Sequence, residues 1–291
     1  MPVTQRWERT FAAMGTQCHV VVVGAGRDVV SRAEDRVGEL ARAWTRFESD
    51  SEISQLNSRG EGMLSEDSWL LLTAGIVGRQ FTKGRFDPFM AHQIVAAGYD
   101  RDFPDLGVQA VTDAAPAAHR PVLELCRRTR FVRLAPGAAI DSGGIGKGLA
   151  ADLVSAQIMA SGADACLVNL GGDLRVRGDK GSPWQIGIDR EVPGPQISVR
   201  LQAGGLATSS TTKRIWHTTR GDPHHHLLDP RTGRQMRARW AGATAIAPNA
   251  WVAEALSKSL LLFGPSAAQR LVRRHRGGGL VQDSNGDVAP L

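Results

Sequence analysis

The segment Asp141-Ser142-Gly143-Gly144-Ile145-Gly146-Lys147-Gly148 runs straight into the periodic apolar stretch Leu149–Met159. Glycines just ahead of a helix N-terminus let backbone N–H groups come close to an anion, and the helix dipole together with Lys147 adds positive charge there. The chemistry on offer is phosphate binding. The segment is not a P-loop, because Gly148 stands where G-x-x-x-x-G-K-[ST] requires Ser or Thr. On these residues alone it reads equally as an anion cradle and as a plain tight turn. Val168-Asn169-Leu170-Gly171-Gly172-Asp173 closes a strand with residues that tolerate positive φ, so a hairpin turn is its simplest reading. His224-His225-His226 precedes the turn Asp229-Pro230-Arg231-Thr232-Gly233. In an extended segment only His224 and His226 share a face, and no acidic or cysteine partner stands at ligand spacing, which argues against zinc. His226, placed on the strand before that turn, could instead carry a proton or donate to a phosphate. Glu254 and Lys258 are spaced i, i+4 in the order that usually marks a solvated helix pair worth a few tenths of a kcal/mol.

Regular elements must hold these groups in place. Cys18, Val20 and Val22 alternate with Gln17, His19 and Val21, which predicts a strand over Thr16–Val23 that ends at Gly24–Gly26. Arg27–Phe47 carries apolar residues at helical spacing and should pack on that strand. A second helix is expected over Ser65–Thr82, with Ser65 or Asp67 as cap and Gly84 beyond its end. A third runs from about Gly148 to Ser161, and a last long one spans about Ala250–Phe263. Strand-like segments lie at Ala165–Leu170, Trp184–Asp189, Ile197–Leu201 and Ala241–Ala247. Helices and strands do not alternate regularly enough for a doubly wound sheet, so the expected fold is α+β with largely antiparallel sheets packed with helices. One domain over 1–291 is expected, with a surface excursion around 100–118, where Asp, Pro and Ala accumulate.

With 291 residues, 42% of them hydrophobic and 22% charged, the chain can bury a sizeable core, which disfavours disorder and fibrous repeats. Its three cysteines, Cys18, Cys126 and Cys166, are too few and too dispersed for a disulfide framework or a thiolate zinc site. A net charge of +6, mostly arginine and spread along the chain, suits anionic ligands. Nucleic-acid binding has no motif or aromatic-basic interleaving behind it. No apolar run approaches a membrane span, since even Trp251–Phe263 carries Glu254 and Lys258. The opening residues lack the apolar core of a secretory signal, and a cytoplasmic location is the expectation.

Taken in order along the chain, the segments resemble the ApbE family of flavin transferases. The match begins at Phe11–Thr16 (FAAMGT) and continues through Phe47–Asn57, Phe86-Asp87-Pro88, Ile140–Gly148 and Leu167–Asp173 (LVNLGGD). It then includes Trp184–Ile188, Leu206–Ser209 (LATS), His226–Gly233 (HLLDPRTG) and Ala253–Leu260. The resemblance implies an ApbE-like, T-fold-like core and cleavage of the FAD pyrophosphate. AMP would be released and FMN attached by a phosphoester to a Ser or Thr of an acceptor flavoprotein. It places Met14, Asp87, Gly143, Gly144, Lys147, Asn169, Gly171, Gly172, Asp173, Thr208, Ser209 and His226 against the flavin nucleotide, and gives His226, Lys147 and Glu254 catalytic parts. It also implies Mg²⁺, held by the backbone carbonyl at Gly146 and by side chains of the last helix. There this chain departs from the family: Glu254 stands for Asp, Lys258 for Thr, and Ser210 for the glycine after Thr208-Ser209. A protonated lysine cannot ligate Mg²⁺. Either Glu254 still holds the metal with water in the Thr position, or Lys258 takes the metal's place as the phosphate counter-charge. Hydrolysis of FAD to FMN and AMP, and flavin binding without catalysis, are the alternative functions.

Overall fold

The structure is a computed structural model that describes residues 5–103, 106–112 and 121–291. Its centre is an eight-stranded sheet whose spatial order follows the chain: Arg6–Ala13, Thr16–Val23, Ala165–Leu170, Asp173–Gly178, Gly204–Ser210, Gly242–Ala247, Gly278–Gln282 and Val288–Pro290. Every neighbouring pair is antiparallel. The α+β expectation with largely antiparallel sheets is what the chain adopts.

Alternation along Thr16–Val23 decides which side of the sheet each residue serves. Cys18, Val20 and Val22 are buried against helices α1 (Arg27–Trp44) and α5 (Gly146–Ala160). Val21 and Val23 point the other way and are buried too, beneath a hairpin formed by Trp184–Ile188 and Ile197–Leu201. A strand ending in four valines is suited to burial on both faces, as found here. Helices α6 (Ala250–Leu260) and α7 (Pro265–Arg274) share the α1 and α5 side, packing on the Gly242–Ala247 and Gly278–Gln282 strands.

The expected elements are present with shifted ends. Helix α3 (Glu66–Phe81) starts after Ser65, whose Oγ accepts the Ser68 N–H as an N-cap. Helix α1 stops at Trp44, because Thr45 turns extended and leaves Arg46 and Phe47 free of the helix. The helix expected over about Ala250–Phe263 ends at Leu260, and a further helix, α7, not expected from the sequence, starts at Pro265. Also unforeseen are the Arg6–Ala13 strand, the short helix α4 (Ala91–Ala96) and helix α2 (Glu52–Arg59), although α2 has a Ser51 cap and a left-handed Gly60 at its end. Of the expected excursion, Gln109 bridges to Thr218 and the Thr112 amide bonds to the Ala96 carbonyl. Residues 104–105 and 113–118 lie outside the described residues.

Two tight hairpin turns carry motif residues to one side of the sheet. In Met14-Gly15 both residues have positive φ, 51° and 64°, and in Gly171-Gly172 the values are 67° and 96°. Positive φ at both central positions matches a type I′ turn, whose twist suits the strands it joins. Asn169 Oδ1 accepts the Gly172 N–H at 2.8 Å, fixing the second turn. The simple hairpin reading of Val168–Asp173 is therefore its structure.

Candidate functional site

The site grows from the contact between α5 and α6. A Cβ on Gly148 would lie 2.7 Å from the carbonyl carbon and oxygen of Ala250 and 2.8 Å from the Trp251 nitrogen. Only glycine permits that approach. One turn further along each helix, Asp152 Oδ2 accepts the Trp251 N–H at 3.0 Å, and Glu254 Oε2 accepts the Gly148 N–H at 2.8 Å. The carboxylate of Glu254 is thereby drawn to the positive end of α5, where a helix favours negative charge.

Glu254 is fully buried and not a solvated surface partner. Its Oε1 faces Lys147 Nζ at 3.1 Å and Lys258 Nζ at 3.3 Å. Lys147 Nζ reaches Asp173 Oδ2 as well, at 2.7 Å, at the start of the strand after the glycine turn. A chain of alternating acids and ammonium groups, Asp173, Lys147, Glu254 and Lys258, results. Burial would raise the pKa of Glu254, but the two lysines and the Gly148 N–H outweigh it and hold it down at about 2. Burial and the Glu254 charge push Asp173 the other way, up to about 6, against the pull of Lys147. Burial opposes the Lys147 ammonium, yet Asp173 and Glu254 raise its pKa above the ordinary lysine value. Lys147 therefore stays charged.

Two cavities open on this cluster. The first, of about 370 Å³, has Met14, Phe47, Met90, Tyr99 and Phe103 in its walls. The second, of about 510 Å³, lies over the sheet against Leu167, Asn169, Gly171, Gly172, Trp184 and Ile186. Gly143, Lys147, Arg214, His226 and Lys258 border both. Three cationic side chains and one imidazole thus form the waist of a divided cleft.

His226 lies in the bend after the short Pro223–His225 strand, one residue past the strand position expected for it. Its Nδ1 is buried with no hydrogen-bond partner among the described residues. Burial, followed by the charges of Arg214 and Lys258, drives its pKa well below the ordinary histidine value. It is a neutral imidazole at physiological pH, with one ring nitrogen free to accept and the other carrying an N–H.

The other motif residues divide by what their polar atoms do. Met14, Gly144 and Gly146 border the first cavity, Thr208, Ser209 and Asp173 the second. The Thr208 hydroxyl bonds to Thr244 at 2.9 Å and that of Ser209 to Ser257 at 2.8 Å. Asp87 reaches the first cavity, but its carboxylate accepts from Arg79 at 2.6 Å and from the Phe89 amide at 2.9 Å, which shapes the loop. Residues that motif reasoning passed over complete the aromatic wall. Arg46 stacks 4.2 Å from the Phe47 ring centre and 5.0 Å from that of Tyr99, and its Nε donates to Asp141 at 3.1 Å. Tyr99 is the one tyrosine of the chain, and that singularity was its only mark in the sequence.

The family model of the ApbE family matches residues 14–280, nearly the whole chain. The chain belongs to the ApbE family. A similar relative is the FAD:protein FMN transferase of Salmonella typhimurium, 27% identical over 280 residues that span 90% of this chain and 79% of that protein. Among solved structures, the ApbE protein of Thermotoga maritima superposes with a TM-score of 0.87 at 23% identity, covering 98% of this chain and 96% of its own. The flavinyl transferase ApbE of Pseudomonas stutzeri gives a TM-score of 0.82 at 23% identity, covering 100% and 96%. These likenesses establish the ApbE fold.

The Mg²⁺ that the ApbE resemblance implied does not fit the donors present. Both oxygens of Glu254 are already taken by two ammonium groups and an amide. Gly146 is the first residue of α5, and a regular helix directs such a carbonyl at the amide four residues on. Lys258 offers no lone pair while protonated. A divalent cation about 4 Å from each ammonium would meet roughly 8 kcal/mol of repulsion from each at an effective dielectric of about 20. Among the described residues, moreover, no group of three or more His, Cys, Asp or Glu side chains could hold a metal ion.

Proposed function

We propose that this ApbE-family chain is an FAD:protein FMN transferase. The observation that carries the reading is the divided cleft: two cavities joined at a waist of Lys147, Lys258 and Arg214 suit a dinucleotide whose two ends lie apart and whose pyrophosphate lies between them. The name of the Salmonella relative supports the same reaction.

In the reaction proposed, a Ser or Thr hydroxyl of the acceptor attacks the phosphorus on the riboflavin side of FAD. A bond from that oxygen to phosphorus forms, the bond from the same phosphorus to the bridging oxygen breaks, and the electron pair leaves on the phosphate of AMP. The hydroxyl proton passes to the neutral imidazole of His226, which borders both cavities. Lys147 and Lys258 stabilise the charge that collects on the equatorial and leaving oxygens, the dominant contribution in phosphoryl transfer. Glu254 and Asp173 hold Lys147 in place, and Glu254 holds Lys258.

Incubation with FAD and a Ser/Thr-bearing acceptor protein tests this. Expected are a covalently flavinylated acceptor and one AMP per flavin attached. FMN and AMP released without labelling would point to hydrolysis, and FAD bound but uncleaved to a binding protein.

A further inference from the structure

We propose that Lys258, seated by Glu254, is a built-in counter-cation that occupies the place of a divalent metal, so that FAD binds and is cleaved at this waist without one. The inference rests on the flavin-transferase reading and adds the cation requirement of that reaction.

Three independent observations converge. First, both oxygens of the Glu254 carboxylate are engaged by the chain itself: Lys147 Nζ and Lys258 Nζ on Oε1, the Gly148 N–H on Oε2. A carboxylate so occupied keeps one lone-pair site, on Oε2 beside the Gly148 N–H, and it fixes two ammonium groups on one side of the cleft, where they repel a metal. Second, the lysine is folded inward and does not trail into solvent. Its Cε lies 3.6 Å from where a Cβ on Gly144 would stand, so the stem rests on the glycine loop, and its side chain is only 15% exposed. Third, Lys258 borders both cavities, as Lys147 and Arg214 do. The waist therefore carries three cationic side chains against the two acids, an excess of one positive charge where a pyrophosphate dianion would lie. A divalent ion would have to enter beside two ammonium groups held on a fully buried carboxylate.

The two changes in the last helix also make sense together. Glutamate reaches far enough across the α5–α6 contact to hold the Gly148 amide and both lysines at once, and Lys258 then stands one helical turn on, i, i+4, in the spacing that lets the pair meet. Glu254 is thus a positioning residue and Lys258 the group that meets the phosphates.

The test is titration of the whole protein with FAD, read by flavin fluorescence, in EDTA and again in millimolar Mg²⁺, with AMP release followed in parallel in the presence of the Ser/Thr-bearing acceptor protein. The wild type should bind FAD with affinities within about twofold in the two buffers and release AMP in both. Calorimetric titration of Mg²⁺ into the wild type should give no binding heat. Lys258→Met should weaken FAD binding at least tenfold without rescue by Mg²⁺. Lys258→Thr with Glu254→Asp should make FAD binding at least tenfold stronger in Mg²⁺ than in EDTA. FAD bound tenfold more tightly by the wild type in Mg²⁺, or AMP released only there, overturns the inference and leaves the flavin reading intact. FAD bound in neither buffer overturns both. The wild-type titrations decide the matter even where a variant does not fold.

Discussion

His226 shows how burial fixes the part a side chain can play. Arg214 and Lys258 add their charges to the desolvation, so the imidazole stays neutral well below the ordinary histidine range. His226→Gln should lower AMP release by about a hundredfold or more while FAD affinity changes less than about threefold, because a proton acceptor acts on the barrier and not on ground-state binding. The rate should show no ionisation near pH 6.5 in either protein, and equal rates in the two would leave His226 a purely structural part. Asp173 behaves oppositely. Its folded pKa, about 6, lies above the ordinary 3.8, so it stabilises the fold below pH 3.8 and loses that contribution as pH rises through 6. Glu254, held at about 2 against an ordinary 4.5, contributes above pH 4.5 and loses it as pH falls towards 2. Protonating Asp173 removes a negative charge beside the waist, so FAD affinity should rise, by up to about tenfold, from pH 7 to pH 5. Asp173→Asn should flatten that rise; a titration that keeps its slope would assign it to another group. Lys147 was legible from the glycines around it. Glu254 and Lys258 stood out through the family resemblance and not through their spacing, because i, i+4 spacing describes one helix, and what pairs with Glu254 is a lysine and an amide 106 or 107 positions away in the chain.

At the scale of elements, the site depends on how closely two helices meet. Gly148→Ala would drive a methyl group into the backbone of Ala250 and Trp251, so α6 must move away from α5 and carry Glu254 off the Gly148 amide. Overpacking of this kind costs about 1–3 kcal/mol, read as a lower midpoint in urea unfolding. Gly62→Ala, at a position where a Cβ meets nothing within 4 Å, should stay within about 1 kcal/mol of the wild type. Equal losses from the two would refute the contact argument. Elements with strong periodicity or a polar cap were readable in advance: the Thr16–Val23 strand by its alternation, α3 by Ser65. Helix α2 escaped because its eight residues span little more than two turns, too few for a periodic stripe to stand out. Helix α7 escaped for a similar reason, since its ten residues span fewer than three turns and only Pro265 marks its start. The close α5–α6 approach could not be read from either helix, since it is a property of two segments about a hundred residues apart.

For the whole molecule, the sheet and its helices leave a cleft with two unlike ends. One is walled by Phe47, Tyr99 and Phe103, the other by Trp184, Ile186 and the glycine turn, and the cations stand between. The ends come from opposite sides of the architecture: Phe47 follows the helix-side α1, whereas Trp184 belongs to the hairpin that covers the other face of the sheet. A ligand spanning both must pass the waist, which ties its two halves to separate structural layers. Phe47→Ala and Trp184→Ala should therefore each weaken FAD, by about 1–3 kcal/mol if an aromatic ring is lost from a stacked contact. With no shared neighbours, their effects should add within about 0.5 kcal/mol in the double variant. The half-ligands give the sharper readout. FMN and AMP each carry one end of FAD, so one variant should lose affinity for FMN and keep it for AMP, and the other should do the reverse. Competition titrations of FMN and AMP against bound FAD measure this directly. If a single variant weakens both half-ligands while the other weakens neither, FAD does not straddle the waist, and the lysines between the cavities would have to meet some other part of the ligand.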